Sequence, residues 1–352
     1  MTYLPELKRA ETIAPFWASV QPIAKRVDRQ LLYYISGDAP IDPDEGLLAL
    51  RLYAELFLAL FEHRELIVLR DELDFEAIEA DVDDGQAAAH DFAVLAALIA
   101  RACARDGEYE SATSWLSKAA ETLTSVPPGA ELDLAQSHCL LALAELQLEV
   151  QDFSGAATQV REALRHCGEA PSRSDRLRFD LAIVEGTLRF IAGDWSDALR
   201  AYGHATTLAH RHGSPVEALL GHLPAAATLY LSGHGSLVEQ QLAHALAVAE
   251  SLPGAPTLRL FVTELPLNFV GRAGIAGMIE RGRRLLDDAE SARNHRFLPL
   301  TVAWIAALCG GSGEREKARL VVETTHQTIA AKGQLTPAMR ELAGRIARDW
   351  PR

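Results

Sequence analysis

Apolar residues follow helical spacing along most of the chain, and short turn segments interrupt them at nearly regular intervals. The turn segments are GEYESA (107–112), QDFSGA (151–156), GDWSDA (193–198), GHGSLV (233–238), GRAGIA (271–276) and GEREKA (313–318). Their first positions lie 38–44 residues apart, and a weaker copy, EHRELI, begins at residue 62. The pattern therefore predicts a series of helix hairpins with a period near 42 residues.

Each turn segment has the residues expected at a junction between two helices. Glycine at the first position ends one helix because it tolerates a left-handed backbone. The Asp, Glu or Ser that follows is predicted to cap the next helix, and Tyr109, Phe153 or Trp195 to wedge between the pair. Alanine or glycine occupies three fixed offsets from the turn in most of the six copies, with Val238, Glu264, Arg283 and Thr325 as the exceptions, and this lets the paired helices approach closely. In the copies that begin at 107, 151 and 193 they are Ala100, Ala144 and Gly186, then Ala112, Ala156 and Ala198, then Ala119, Ala163 and Ala205.

The turn and small-residue positions resemble the G-D-Y-x-x-A…A signature of the tetratricopeptide repeat, although the aromatic-glycine pair of that repeat's first helix is mostly missing. The period is longer than the usual length of about 34 residues. In this respect the chain is similar to the helical sensor repeats of large LuxR-type regulators of the maltose-activator (MalT) kind. The resemblance covers roughly residues 47–330. It implies an all-α fold, an α-solenoid of about seven tetratricopeptide-like (TPR-like) helix hairpins.

The repeat boundaries divide the chain into three predicted parts. Residues 1–45 form an N-terminal helical cap, residues 46–334 the TPR-like repeat array, and residues 335–352 a C-terminal capping helix. The LuxR-type regulators also carry a nucleotide-binding domain and a DNA-reading helix-turn-helix. This sequence contains no G-x-x-x-x-G-K-[ST] motif and no recognisable DNA-reading domain. We expect a stand-alone array if the chain is complete, and part of a longer regulator if it is a fragment.

Charge and composition narrow the classes of partner. The formal net charge of −14 argues against a nucleic-acid-binding surface along most of the chain. The N-terminus has no secretory signal, and no segment approaches the roughly 18 apolar residues of a membrane span. The cysteines, which form no C-x-x-C pair, are predicted to be reduced thiols in a cytoplasmic protein. They are Cys103, Cys139, Cys167 and Cys309.

Motifs of catalysis and cofactor binding do not occur in the sequence: H-E-x-x-H, G-x-S-x-G and G-x-G-x-x-G are all missing. We therefore predict a protein that is not an enzyme and has no cofactor. Histidine is clustered between Tyr202 and His244, and His204 and His244 hold equivalent positions in successive second helices. A metal or pH-sensing site there is the weaker hypothesis, because no Cys or acidic residue completes a ligand set by spacing.

The first helix of each TPR-like pair is expected to line a concave groove. In repeats 4–6 the residues predicted to line this groove are mostly apolar and aromatic. The predicted ligand- or partner-binding residues are Ile183, Arg189, Phe190, Leu223, Tyr230, Phe261, Glu264, Leu265, Asn268 and Phe269. An exposed apolar patch usually marks a binding site, but neighbouring helices could equally cover these residues as core. Arg189 is expected to pair with Glu185, and Glu264 with a cation or a bound ligand.

Repeats 2 and 3 instead place polar residues on the same predicted face, which could orient one end of a peptide or could simply be solvated. They are Arg101, Arg105, His138, Glu145 and Glu149. The sequence therefore favours a non-catalytic module that binds a protein or peptide in its groove and acts as a scaffold or regulator. The alternative is a sensing domain linked to transcriptional regulation, with a small apolar ligand in the aromatic groove of repeats 4–6. An enzyme or metalloprotein using the histidine cluster is the third hypothesis.

Overall fold

The computed structural model describes residues 43–59, 63–85, 87–168, 175–211 and 215–232, together with five positions between 234 and 244. These residues are mostly helical and include no β-strand, so the all-α class is confirmed. Most of the predicted N-terminal cap lies outside the described residues. So do the repeats after residue 244 and the predicted C-terminal capping helix.

Ten helices follow one another in the described part of the chain. They are α1 (Pro43–Ala59), α2 (His63–Glu72), α3 (Phe75–Asp83), α4 (Ala89–Asp106), α5 (Tyr109–Leu123), α6 (Ala130–Glu149), α7 (Phe153–Cys167), α8 (Asp175–Ala192), α9 (Trp195–Arg211) and α10 (Pro215–Leu231). The chain forms two compact units, Met1–Gln147 with Ser154–Leu181, and Leu148–Phe153 with Ala182–Arg352. None of the helices described combines the length and the apolar character needed to cross a bilayer.

Three predicted turns end a helix with a residue in the left-handed conformation. Gly107, Gln151 and Gly193 have φ angles of 87°, 68° and 80°. At both glycines the residue's own amide donates to the carbonyl three positions earlier, and the next amide donates to the carbonyl five positions earlier, at 2.9–3.2 Å. This is the Schellman arrangement, which satisfies carbonyls that the end of a helix leaves without intrahelical donors.

The predicted capping role of the residue after the glycine is wrong at Glu108. Its side chain makes no capping hydrogen bond at the start of α5. The carboxylate instead accepts a hydrogen bond from Arg70 Nη1 at 2.7 Å, which ties α2 to the α4–α5 turn. A charged partner on another helix therefore competes successfully with the free amides of α5 for this carboxylate.

Replacing Gln151 by glycine is expected to raise the free energy of unfolding by up to about 1 kcal/mol. Gln151 has the positive φ that glycine provides at the two equivalent turns, and a side chain there carries a steric cost. Urea unfolding of the two proteins measures the difference. Gln159→Gly, the same substitution inside α7, is the matched control and should cost about 0.5–1 kcal/mol. A loss of stability in both variants would contradict a left-handed residue at 151.

The three registers of small residues lie in the interior in every described copy. Ala100, Ala112, Ala119, Ala144, Ala156, Ala163, Ala198 and Ala205 are at most 1% exposed. Gly186 is buried as well, and a Cβ atom built on it would lie only 2.5 Å from the Tyr202 ring. The sequence predicted that these small residues allow paired helices to approach closely, and their burial agrees with this role.

Helix α4 is the centre of the first unit. Every residue from Asp91 to Ala104 is buried, as expected for a helix that is covered on all sides. It packs against α1, α2 and α5, and Ala97 and Ala100 join Ala142 of α6 in one apolar cluster. Because α4 also carries Asp91 and Arg101, the same packing takes two charged side chains out of water.

Candidate functional site

Arg101 is a fully enclosed charge that joins three helices of the first unit. It is 2% exposed, and its Nη2 donates to Glu145 Oε1 of α6 at 2.8 Å and to Asp180 Oδ2 of α8 at 2.7 Å. Arg105 Nη2 and Nε also donate to Glu145, at 2.8 and 3.1 Å. The expectation that Arg101 lies on an exposed groove is therefore wrong, because neighbouring helices cover α4.

The ion network compensates for the cost of burying these charges. Removing a charge from water costs several kcal/mol unless close partners replace its hydration. Burial acts to lower the pKa of Arg101, but attraction to Glu145 and Asp180 outweighs it and raises the pKa above its usual value. Arg101 therefore stays charged, and its two carboxylate partners hold α4, α6 and α8 in register.

Beside this network lies a cavity of about 350 Å³. Its lining residues come from α1, α4, α6 and α8, and all of these residues belong to the first unit. Charged and histidine side chains make up most of the lining, with leucines between them. The lining residues are Leu48, Arg51, Glu55, His90, Asp91, Glu131, Leu134, His138, Arg176 and Leu177.

Ion pairs organise one wall of the cavity. Arg51 Nη1 donates to Asp91 Oδ1, and Arg51 Nε lies 3.3 Å from Glu55 Oε1. His90 Nε2 lies 3.4 Å from the same Asp91 oxygen and 3.7 Å from Glu131 Oε2. Burial nevertheless raises the pKa of Glu55, since the nearby Arg51 only partly offsets the loss of water.

His138 is a lining residue whose imidazole is buried. It is 8% exposed, and its Nδ1 makes no hydrogen bond. Burial lowers its pKa to about 3, and the positive charges of Arg101 and Arg51 contribute further. The imidazole is therefore neutral at physiological pH. A buried ring nitrogen without a hydrogen-bond partner carries a desolvation cost that a bound polar group would relieve.

The sequence-predicted groove residues that the structure describes lie in the second unit. Phe190 is buried and packs edge-on against Trp195, with ring centroids 5.4 Å apart, so it lies inside the α8–α9 hairpin. Ile183 is half-buried. Arg189 Nη1 lies 3.6 Å from Asp194 Oδ2 on the surface, in place of the expected pairing with Glu185. Leu223 and Tyr230 belong to α10, but their side chains lie outside the described residues, as do Phe261, Glu264, Leu265, Asn268 and Phe269.

Three histidines come together in the second unit, but not the pair that the sequence suggested. The ring of His222 lies 6.0 Å from that of His210 and 5.7 Å from that of His244, between centroids. His204, which was named with His244, is exposed. His222 Nδ1 lies 2.8 Å from Gln241 Oε1, and burial is the main cause that lowers the pKa of His222. Within the described residues no group of three potential ligands has a geometry that could hold a metal ion.

Sequence reasoning found His138 and Glu145 but missed Arg51, Asp91 and Asp180. The signal was present as single charges within apolar stretches of helix, such as Asp180 between Phe179 and Leu181. A charged residue within an apolar stretch needs a partner when other helices pack around its own helix and exclude water. The partners lie 40–79 residues away along the chain, so spacing alone could not pair them.

No protein-family model matches this sequence, and no curated protein matches it.

Proposed function

We propose that the chain is a non-catalytic binding module, a TPR-like α-solenoid of about seven hairpins, that holds a segment of a peptide or protein partner. The observation that carries the proposal is the cavity of about 350 Å³, whose charged lining is drawn from four helices. Such a volume is at the small end of ligand sites. It accommodates the end of a chain or a few side-chain groups, and the remainder of the partner lies on the surface around it.

The lining favours recognition over catalysis. A general acid or base works best when its pKa lies near the operating pH. The pKa of His138 is lowered to about 3, which leaves it a neutral hydrogen-bonding group. Asp91 is held between Arg51 and His90, so its carboxylate is fixed in an ion pair. Fixed charges of both signs orient a polar partner and discriminate against apolar ones.

A second candidate is a sensor of a free small molecule, as the LuxR-type resemblance implies. The charged cavity supports this candidate, because its volume of about 350 Å³ would hold a compact polar molecule. The two candidates share the site and differ in what occupies it. A cytoplasmic location suits both.

Native mass spectrometry of the full chain purified from its own cells tests the proposal. We expect a bound polypeptide in the wild-type protein and its loss in Leu48→Trp, because Leu48 lines the cavity and an indole would fill it. Val150→Trp is the control, since Val150 is an exposed large apolar residue that does not line the cavity. A small bound molecule lost in the same way would favour the sensor. A bare wild-type chain, or equal retention by both variants, would contradict binding at this site.

A further inference from the structure

We propose that three adjacent histidines of the second unit form a pH-sensitive contact, which opens around α10 when the solution becomes mildly acidic. This histidine cluster consists of His210 in the last turn of α9, His222 in the middle of α10, and His244 at a helical position further along the chain. The contact joins three segments of the second unit. The inference does not depend on what the cavity of the first unit binds.

The three rings are close enough for their charges to act on one another. The His222 and His244 rings are nearly parallel, with an angle of 18° between them and 5.7 Å between their centroids. The centroid of the His210 ring lies 6.0 Å from that of His222. His210 and His244 are exposed, whereas His222 is buried. A proton on either outer ring therefore places a positive charge close to an imidazole that has little water around it.

The hydrogen bond of His222 determines where a second proton is added to its ring. Nδ1 lies 2.8 Å from Gln241 Oε1, so in the neutral ring Nδ1 carries the hydrogen and donates to this oxygen. A second proton must add to Nε2, and the ring then becomes a cation. A buried cation is costly unless an opposite charge lies beside it.

The described groups around His222 supply no such opposite charge. Helix α9 contributes His210, with the exposed Arg211 next to it, and the segment after α10 contributes His244. Glu217 is the acidic residue of α10, but it stands five positions before His222 and so about 140° around the helix. Protonation of His222 therefore adds a like charge to a group of groups that are basic themselves.

The resulting pH dependence has a definite sign. Burial is the main cause that lowers the pKa of His222, the hydrogen bond with Gln241 opposes it, and His210 and His244 lower the pKa further. When the contact opens, the ring enters water and its pKa returns towards the ordinary value near 6.5. Between these two values the open state binds more protons than the closed state, so a falling pH favours opening. Above about pH 6.5 the ring is neutral in both states, and the contact is at its most stable.

The sequence of α10 makes its centre the place where opening is easiest. Pro224 lies inside α10 two residues after His222, and it has no amide hydrogen to donate to the carbonyl of residue 220. Gly221, the residue before His222, lies so close to α9 that a Cβ atom built on it would overlap Thr206 Oγ1. A charged ring beside such close packing cannot reach water through a small shift of one side chain. The two helices must separate locally.

Hydrogen–deuterium exchange of the full chain at about pH 7.5 and about pH 5.5, read by mass spectrometry, tests the proposal. The quantity compared is the protection factor of the α10 amides, the exchange rate expected for the unfolded chain divided by the measured rate at the same pH. One proton taken up on opening, at a pKa near 6.5, lowers this factor by up to about tenfold between the two pH values. We therefore expect a loss of about threefold to tenfold in the wild-type protein.

His222→Gln is expected to reduce this loss to less than about twofold, because an amide of similar size keeps hydrogen-bonding atoms but takes up no proton. His204→Gln makes the same change at an exposed position of α9 outside the cluster, and it should keep the wild-type loss. His138 of the first unit is present in all three proteins, so its own titration does not contribute to the difference between them in α10.

The double variant His210→Gln with His244→Gln keeps the proposal testable if His222→Gln does not fold. Both positions are exposed, and removing their charges should make the loss of protection smaller without abolishing it. A wild-type protein whose α10 is equally protected at both pH values would overturn the proposal. So would an undiminished loss in folded His222→Gln, or in the double variant.

Discussion

Replacing Arg101 by methionine is expected to lower the free energy of unfolding by about 3 kcal/mol or more. Methionine fills most of the space, but it leaves the carboxylates of Glu145 and Asp180 without their shared donor in the interior. Arg105 still donates to Glu145 at 2.8 Å, whereas Arg176 Nη2 lies 3.8 Å from Asp180 Oδ2, so Asp180 carries most of the cost. The loss should shrink as the pH falls, because a buried carboxyl without its cation takes up a proton more readily. Urea unfolding at pH 7 and at pH 5 measures both effects.

The matched control is Arg161→Met, an equal change of charge and size on the exposed face of α7. Arg161 donates to two residues of its own helix, with Nε 3.3 Å from the Ala157 carbonyl oxygen and Nη2 3.2 Å from Thr158 Oγ1. Its replacement should cost less than about 0.5 kcal/mol. Adding Asp180→Leu to Arg101→Met should restore part of the stability, because it removes a buried carboxylate that has lost its hydrogen bond from Arg101. Similar losses in the two single variants would show that Arg101 is not buried among these partners.

The elements that could be predicted from the sequence are those whose cause is local. Gly107 and Gly193 end their helices with positive φ angles because only a few neighbouring residues determine the turn. The spacing of small residues likewise identified positions that are buried, since close helix pairing requires them at fixed offsets from the turn. The spacing of apolar and turn residues was sufficient to predict the all-α class and the positions at which these helices end.

The charged cavity could not be predicted in the same way because its cause is not local. Arg101 was placed on an open groove, whereas the packing of α1, α2, α5 and α6 around α4 encloses it. Whether a polar residue is solvated or buried depends on which elements cover its helix. Asp180, the partner that makes burial tolerable, stands 79 residues from Arg101 along the chain. A sequence pattern can show that a charge is misplaced, but it does not identify the residue that compensates for it.

Replacing Gly186 by alanine is expected to cost about 1–3 kcal/mol of unfolding free energy. The added Cβ atom would lie 2.5 and 2.6 Å from Cε1 and Cδ1 of Tyr202, distances that require one helix or the ring to shift. The ring has little freedom to move, because Tyr202 is buried in the second unit and its hydroxyl lies 3.5 Å from Thr187 Oγ1. The measurement is the midpoint of thermal or urea unfolding relative to wild type.

Gly203→Ala makes the same change one residue after Tyr202, where the new Cβ meets no atom within 4 Å apart from its chain neighbours and the adjoining helix backbone. It should stabilise α9 by up to about 1 kcal/mol, because alanine loses less backbone entropy than glycine in a helix. The two identical substitutions therefore have opposite expected signs, which helix propensity alone cannot produce. In a Tyr202→Ala background the cost of Gly186→Ala should disappear, since the atoms it strikes are gone. A stabilising Gly186→Ala in the wild-type background would mean that α8 and α9 do not approach this closely, and that the small-residue register has another cause.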